Sequence, residues 1–185
     1  MRITKSKTIV DGHGITLKNG GTHEPVIHIG NTRGNKKIQE VVVRNFVIDG
    51  ERAKKKSEMS KWGTHIRNNG ISIRHVNHVV ISNCTIFNCR SGGIVPQHCE
   101  DVDIIDCEIY GNFFDAIAPW NCKRVRIRGC VLRDNDYAGI SVDGGCEHIT
   151  ATRCKFMKNG TYDVWVRGGK YVRASDAKKV CLKNC

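Results

Sequence analysis

The chain has 185 residues, with 30 Lys and Arg against 18 Asp and Glu and a formal net charge of +12. That length suits one domain, and the charge points toward polyanionic partners (acidic polysaccharide, nucleic acid, anionic surface glycans), a well-solvated basic surface being the plain alternative. No apolar run is long enough to span a bilayer, so no membrane partner is expected.

In chain order, the first alternating segments are Thr8-Ile-Val-Asp-Gly-His-Gly-Ile-Thr-Leu17 and Val26-Ile-His-Ile29. They predict an irregular first rung over 1–34. Val41-x-Val43, Asn45-Phe46 and Ile48 predict the next, and Asn69-Gly-Ile-Ser-Ile-Arg74 closes it after a loop insertion at 51–68. From His75 the order is HVNHVVISNCTIFNCRSGGIVPQ, HCEDVDIIDCEIYGNFFDAIAPW, NCKRVRIRGCVLRDNDYAGISVD and, one residue later, GCEHITATRCKFMKNGTYDVWVR. A period of 23 residues at this regularity marks a stacked repeat architecture. Regular rungs are expected over 69–167, an insertion over 168–178 and a last partial rung over 179–185, with Val180 and Leu182 in the second run of that rung. A single domain covers 1–185.

Apolar spacing within each unit is two. Val79-x-Ile81, Cys84-x-Ile86 and Ile94-x-Pro96 are three short strands bounded by turn residues. Three strands per 23 residues, each pairing with its equivalents in adjacent units, is one rung of a parallel β-helix. The fold class is therefore all-β, a single-stranded right-handed parallel β-helix of about six to seven rungs, right-handed because the turns are of unequal length. A leucine-rich repeat is the competing pattern, but the second half of each unit is Gly- and Asn-broken and ends in another alternating run. Asn45, Asn83, Asp106 and Gly129 occupy corners that call for left-handed backbone geometry. Pro96 and Pro119 threaten their strands, since proline gives no ladder donor.

Ten cysteines fall largely into two columns, Cys84, Cys107, Cys130, Cys154 and Cys185, and Cys99, Cys122 and Cys146. Stacked equivalents lie ~4.8 Å apart with parallel side-chain vectors, wider than the ~3.8 Å between β-carbons that a relaxed disulfide prefers. The columns therefore read as a reduced internal ladder. No Cys-x-x-Cys pair occurs and no metal site is expected. Reduced cysteines, with no hydrophobic leader, suggest a cytoplasmic or virion-associated protein.

The segments Ser6-Lys-Thr-Ile-Val-Asp-Gly-His-Gly14, Val41-Val-Val-Arg-Asn-Phe-Val-Ile48, Gly70-Ile-Ser-Ile73 and Val79-Val-Ile-Ser-Asn-Cys84 resemble the opening of the pectate-lyase-like right-handed β-helix superfamily. That superfamily includes lyases, glycosidases, uronate epimerases, phage tailspikes and noncatalytic members, so the resemblance implies the fold and leaves activity open. It also implies calcium as the cofactor to look for; the residues themselves call for none. At the positions where pectate lyases place calcium-binding carboxylates stand Asn69, Gly92 and Asp115. The Arg-x-Pro-x-x-Arg, Asp-Pro-His-Glu and paired-aspartate segments of its enzymes are absent. A tailspike-like member would be a trimer.

Alternation places Ser72, Val95, Ala118, Ser141 and Trp165 outward, followed by Arg74, Gln97, Trp120, Asp143 and Arg167. One flank thus collects the expected substrate-binding residues Arg74, His75, Gln97, Trp120, Asn121 and Trp165. Indole faces beside polar groups suit stacking on sugar rings and bonding to their hydroxyls and carboxylates. Catalytic candidates on the same flank are Asp115 and Asp143 as a hydrolase-type carboxyl pair, and His98 or Arg167 as a lyase- or epimerase-type base with Arg74 as cation. The insertion, with Trp62, His65 and Lys54, Lys55 and Lys56, is expected to overhang the flank. The functional expectation is binding of an acidic or neutral polysaccharide, with lyase, epimerase or hydrolase chemistry. The alternatives are a noncatalytic structural or adhesive β-helix of the viral receptor-binding type, and nucleic-acid binding through the basic face.

Overall fold

The computed structural model describes residues 1–54, 57, 59–62 and 66–182. Parallel strands stack on three faces. The long face has seven strands, running from Thr8–Asp11 at one end to Lys170–Ala174 at the other, and a second face has six, from Thr16–Lys18 to Lys155–Met157. The third face is a four-stranded sheet (Arg2–Ile3, Ile27–Gly30, Ile71–Arg74, Ile94–Gln97) followed by a three-stranded one (Ile140–Val142, Val164–Val166, Val180–Leu182). Between these two, Ile117 and Trp120 are joined to the neighbouring rungs only by isolated parallel bridges. The interruption falls at Pro119, which has no amide hydrogen to donate. Pro96, by contrast, stays inside its strand and pairs with Ile73.

Register follows the sequence period. Ile94 lies opposite Ile71, Val102 opposite Val79 and Ile109 opposite Ile86, each 23 positions apart. Strand spacing of about 4.8 Å means that equivalent side chains touch their counterparts above and below. The inward columns of Ile, Val and Cys are almost completely buried. Asn45, Asn83, Asp106 and Gly129 all have φ between 49° and 65°, as the corner reading requires. At Gly129 a β-carbon would come within 2.1 Å of Asp106 Oδ1, so the corner accepts no larger residue without rearrangement.

Both cysteine columns are buried, and their seven described members are free thiols, as is Cys89, which stands outside them at the head of an asparagine column. Their weak S–H donors meet corner carbonyls: Cys107 that of Ile105 at 3.3 Å, Cys122 that of Pro96 at 3.3 Å. Cys181 departs from the reduced-ladder expectation, being disulfide-bonded; Cys185 lies outside the described residues. A second buried column is polar. Asn112 Nδ2 donates to Asn135 Oδ1 at 2.9 Å, and Asn135 Nδ2 to Asn159 Oδ1 at 3.0 Å. Stacked amides satisfy one another where an isolated buried one would not.

The terminal expectations need correction. Lys170–Ala174 is a regular strand of the long face, with Val172 opposite Ile149 and Ala174 opposite Ala151, so 168–178 is no simple insertion. Its modest side chains hid the alternation. Val180–Leu182 stacks on Val164–Val166 of the third face, not in the second run. Val180 and Leu182 cover Val164 and Val166 but have no described rung beyond them, and remain 46% and 67% exposed.

Two outcomes test this packing. Asn135→Ala should destabilise by about 2–3 kcal/mol in urea unfolding, because the Asn112 and Asn159 amides and the Ile109 and Arg133 carbonyls lose buried partners; a loss near zero would mean that the ladder contributes no net stability. Thiol titration of denatured, unreduced protein should count at least the eight free cysteines, and a count near zero would overturn the reduced ladder.

Candidate functional site

The third face carries a groove of about 520 Å³ on its outer side. Its floor comes from the outward positions of successive strands: Val95, Ala118 and Trp165 in one column, Gln97, Trp120, Asp143 and Arg167 in the next. One wall comes from turns, with Asn69, Ser91, Gly92, Phe114, Asp115 and Tyr137; Arg67, at the end of the insertion, completes it. The groove exists because Gly92 and Ala118 put almost no side chain where neighbouring rungs carry larger ones.

Asp115 is the buried acid of the groove, only 7% exposed. Its Oδ1 accepts the Ala138 amide hydrogen at 3.0 Å. Burial raises its pKa to about 6; the Ala138 bond, Arg167 and the Ser141 hydroxyl pull it down, and Asp143 adds to the rise. The Ser141 hydroxyl accepts from Arg167 Nη2 at 2.8 Å, and the same guanidinium pairs with Asp143 Oδ2 at 2.5 Å. Asp115, Ser141, Arg167 and Asp143 thus form one linked network. Arg167 also lies 4.6 Å over the Trp165 ring, and Tyr162 approaches that ring to 5.7 Å. Much of the Trp165 surface is therefore engaged within the protein. Trp120 meets the edge of His98 at 4.8 Å.

Of the sequence-derived residues, the groove gathers Asp115, Asp143, Arg167, Gln97, Trp120 and Trp165. His75, His98, Asn121 and Arg74 are not among its lining residues. The first three sit at a corner with φ of 53°, 52° and 50°, which swings their side chains off the flank. His75 and His98 stack on each other at 4.9 Å, and Asn121 Oδ1 accepts the Gly145 amide hydrogen at 2.6 Å. Arg74 reaches instead to the Thr32 carbonyl at 3.3 Å. Ser72 and Ser141, expected to point to solvent, are buried: the Asn69 amide bonds Ser72 at 2.8 Å, and Arg167 covers Ser141. Arg67, Ser91, Phe114 and Tyr137 are the lining residues that alternation missed, since they sit in turns and an insertion. Of the insertion expected to overhang the flank, Arg67 joins the groove wall, whereas Trp62 lies edge-on to buried His28 at 5.9 Å and is not among the lining residues; His65, Lys55 and Lys56 lie outside the described residues.

The residues at the calcium position do not fit that ion. Asn69 Oδ1 is taken by the Gly92 amide hydrogen, Gly92 has no side chain, and Asp115 is a lone carboxyl with a raised pKa. Calcium requires six to eight oxygens, several of them anionic. Among the described residues no group of three or more His, Cys, Asp or Glu could hold a metal, and no helix is long and apolar enough to cross a membrane. A second recess of about 490 Å³ lies on the long face over Ile9, Val42 and Val80. Two of its three acids are committed to arginines, Asp101 to Arg124 at 2.9 Å and Asp103 to Arg126 at 2.7 Å.

The sequence matches the model of the right-handed beta helix region over residues 3–177, and the chain belongs to that family. No curated protein matches it. In fold it is similar to ORF18 of Geobacillus virus E2, with a TM-score of 0.75 and 16% identity over 93% of this chain and 37% of that one. It is also similar to the pre-mature gene product 12 of bacteriophage phi29 (TM-score 0.65, 14% identity, 90% of this chain and 28% of that one). A third likeness is to PfbA, a surface adhesin of Streptococcus pneumoniae (TM-score 0.53, 13% identity, 89% and 50%). The chain thus spans half or less of each of these proteins, and the likeness is one of fold.

Asp115 gives the site a signed pH test. The folded protein holds that proton up to about pH 6, whereas an unfolded aspartate releases it near ~3.9. Between those values the folded state binds more protons, so stability falls as pH rises. The penalty, on the order of 2–3 kcal/mol, is complete above the folded pKa and absent below the unfolded one. Asp115→Asn, which keeps an oxygen for Ala138, should therefore raise the melting temperature at pH 7.5 and barely change it at pH 4. An equal effect at both pH values would mean that the carboxyl titrates normally.

Proposed function

We propose that this chain binds a segment of polysaccharide in the groove and that Asp115 serves there as a proton donor for glycosidic cleavage. The observation that carries the reading is one recess combining the indole of Trp120 with a buried carboxyl that keeps its proton up to about pH 6. Aromatic faces take the apolar side of a sugar ring and the amide of Gln97 takes hydroxyls. A carboxyl with a raised pKa is the group that acid-assisted departure of a glycosidic oxygen requires.

In that chemistry the Asp115 proton passes to the bridging oxygen as the anomeric C–O bond breaks. Water adds at the anomeric carbon and gives its proton to Asp143, the second carboxylate. Arg167 remains a cation here, because a guanidinium paired with a carboxylate does not act as a base. Lyase or epimerase chemistry has less support, since His98 does not line the groove and reaches it only through Trp120.

A second reading, an adhesive β-helix without catalysis, is favoured by the Asp143–Arg167 ion pair at 2.5 Å, which occupies the carboxylate that water activation would use. Virion association would fit this reading. Nucleic-acid binding through Lys123–Arg128 is weaker, because Arg124 and Arg126 are laid on Asp101 and Asp103 of the preceding rung.

Polysaccharide binding followed by reducing-end release at pH 5 and pH 7 separates these readings. A cleaving protein loses product release in Asp115→Asn while keeping affinity, and its rate falls as pH rises past 6. Binding without new reducing ends at either pH establishes the adhesive reading. Trp120→Ala should weaken binding by about 1–3 kcal/mol, the range of an aromatic hot spot, with the melting temperature nearly unchanged. If that variant unfolds and the wild type binds no glycan, the indole is packing and the groove reading fails.

A further inference from the structure

We propose that an anion-reading subsite lies just outside the groove, on a ledge of aromatic rings, and that Arg90 is its specificity residue, selecting glycans that carry a carboxylate or sulfate. The inference rests on the glycan reading above and names the class of glycan.

Arg90 stands in the turn between strands Thr85–Phe87 and Ile94–Gln97, and the next residue, Ser91, lines the groove. Its guanidinium lies 4.2 Å over the ring of Phe113. Phe113 meets Phe114 edge to face at 4.9 Å, and Phe114 lies 5.1 Å from Tyr137. Phe114 and Tyr137 belong to the groove wall, so the rings form a continuous path from the recess to Arg90. Tyr137 is 38% exposed, which leaves the path open to a chain leaving the groove.

The charge on this ledge is unusual in being uncompensated. Arg52 lies over the same Phe113 ring at 4.9 Å, but bonds Asp136 at 2.6 Å. Arg167 inside the groove is likewise paired with Asp143. Arg90 has no ion pair or hydrogen bond among the described residues, and its Nε is buried without an acceptor. Stacking on Phe113 fixes the guanidinium plane, so its free edge is held ready for the two oxygens of a carboxylate or sulfate. Lysine in its place would keep the charge and lose the fork.

The test uses polygalacturonate, alginate, hyaluronan and chondroitin sulfate, each with its carboxyl-reduced form, plus carboxyl-reduced, desulfated chondroitin, single-stranded DNA and neutral dextran. Titrations are run with the wild-type chain, Arg90→Gln, Arg90→Lys and Trp120→Ala. The expected result is that one acidic glycan binds, that removing its charged groups weakens binding about tenfold or more, and that Arg90→Gln causes the same loss. Arg90→Lys should restore part of it. Melting temperatures of the Arg90 variants should match the wild type, and wild-type affinity should fall with salt more steeply than that of Arg90→Gln. Equal binding of charged and neutral forms, or an Arg90→Gln variant that binds the acidic glycan like wild type, overturns the subsite. If Trp120→Ala still weakens binding in that case, the groove reading survives. Binding of DNA alone, dependent on Arg90, overturns the glycan assignment. No binding by any glycan overturns both readings together.

Discussion

Everything in this molecule depends on the parallel hydrogen bonding between rungs. In the regular rungs each strand gives its backbone donors and acceptors to strands 23 or 24 residues away, so a residue has its own repeat equivalents as nearest neighbours. A column must therefore be tolerable against itself. Aliphatic columns and thiol columns satisfy that by simple packing. Polar columns need complementary partners: Asn112, Asn135 and Asn159 pass hydrogen bonds along the axis, and Asp101 and Asp103 sit against Arg124 and Arg126 of the following rung. The basic strand Lys123–Arg128 is thus less exposed as charge than its sequence suggests. Its arginines are largely occupied by the acidic rung beside it.

The groove arises where the columns stop repeating. Asn69, Gly92 and Asp115 occupy one turn position, and Val95, Ala118, Ser141 and Trp165 one outward position, with the small members leaving the space that the large ones border. Departures from consistent patterning tend to mark functional sites. The stability arithmetic agrees, because a buried aspartate with its pKa raised to about 6 costs the folded state free energy at neutral pH. A chain under selection for packing alone would place an amide there, as it does at Asn69.

What the sequence revealed and concealed follows from the same physics. Period-two alternation exposes the direction of a strand residue, which is why Gln97, Trp120, Asp143, Trp165 and Arg167 were legible as one flank. It says nothing of corners, where a positive φ redirects His75, His98 and Asn121 despite their place in the register. Nor does it reach Arg67, Phe114 or Tyr137, which lie in turns and an insertion without period. Asp115 could be named because it shares the turn position of Asn69 and Gly92, but its burial and its link through Ser141 to Arg167 needed coordinates. The final rung was obscured because Tyr171-Val-Arg-Ala174 has no cysteine and few large aliphatics. Cys181 stands outside both ladders because it lies in register with Trp165 on the third face.

The central claim is that glycan recognition occurs on the outer side of the interrupted third face, and hydroxyl-radical footprinting with a bound acidic oligosaccharide tests it most directly. The account predicts protection of Trp120, Phe114 and Tyr137, and none of Ile9, which stands 69% exposed on the outer side of the long face. Protection of Ile9 and the neighbouring long-face residues, with the three groove aromatics oxidised as in the free protein, would contradict it.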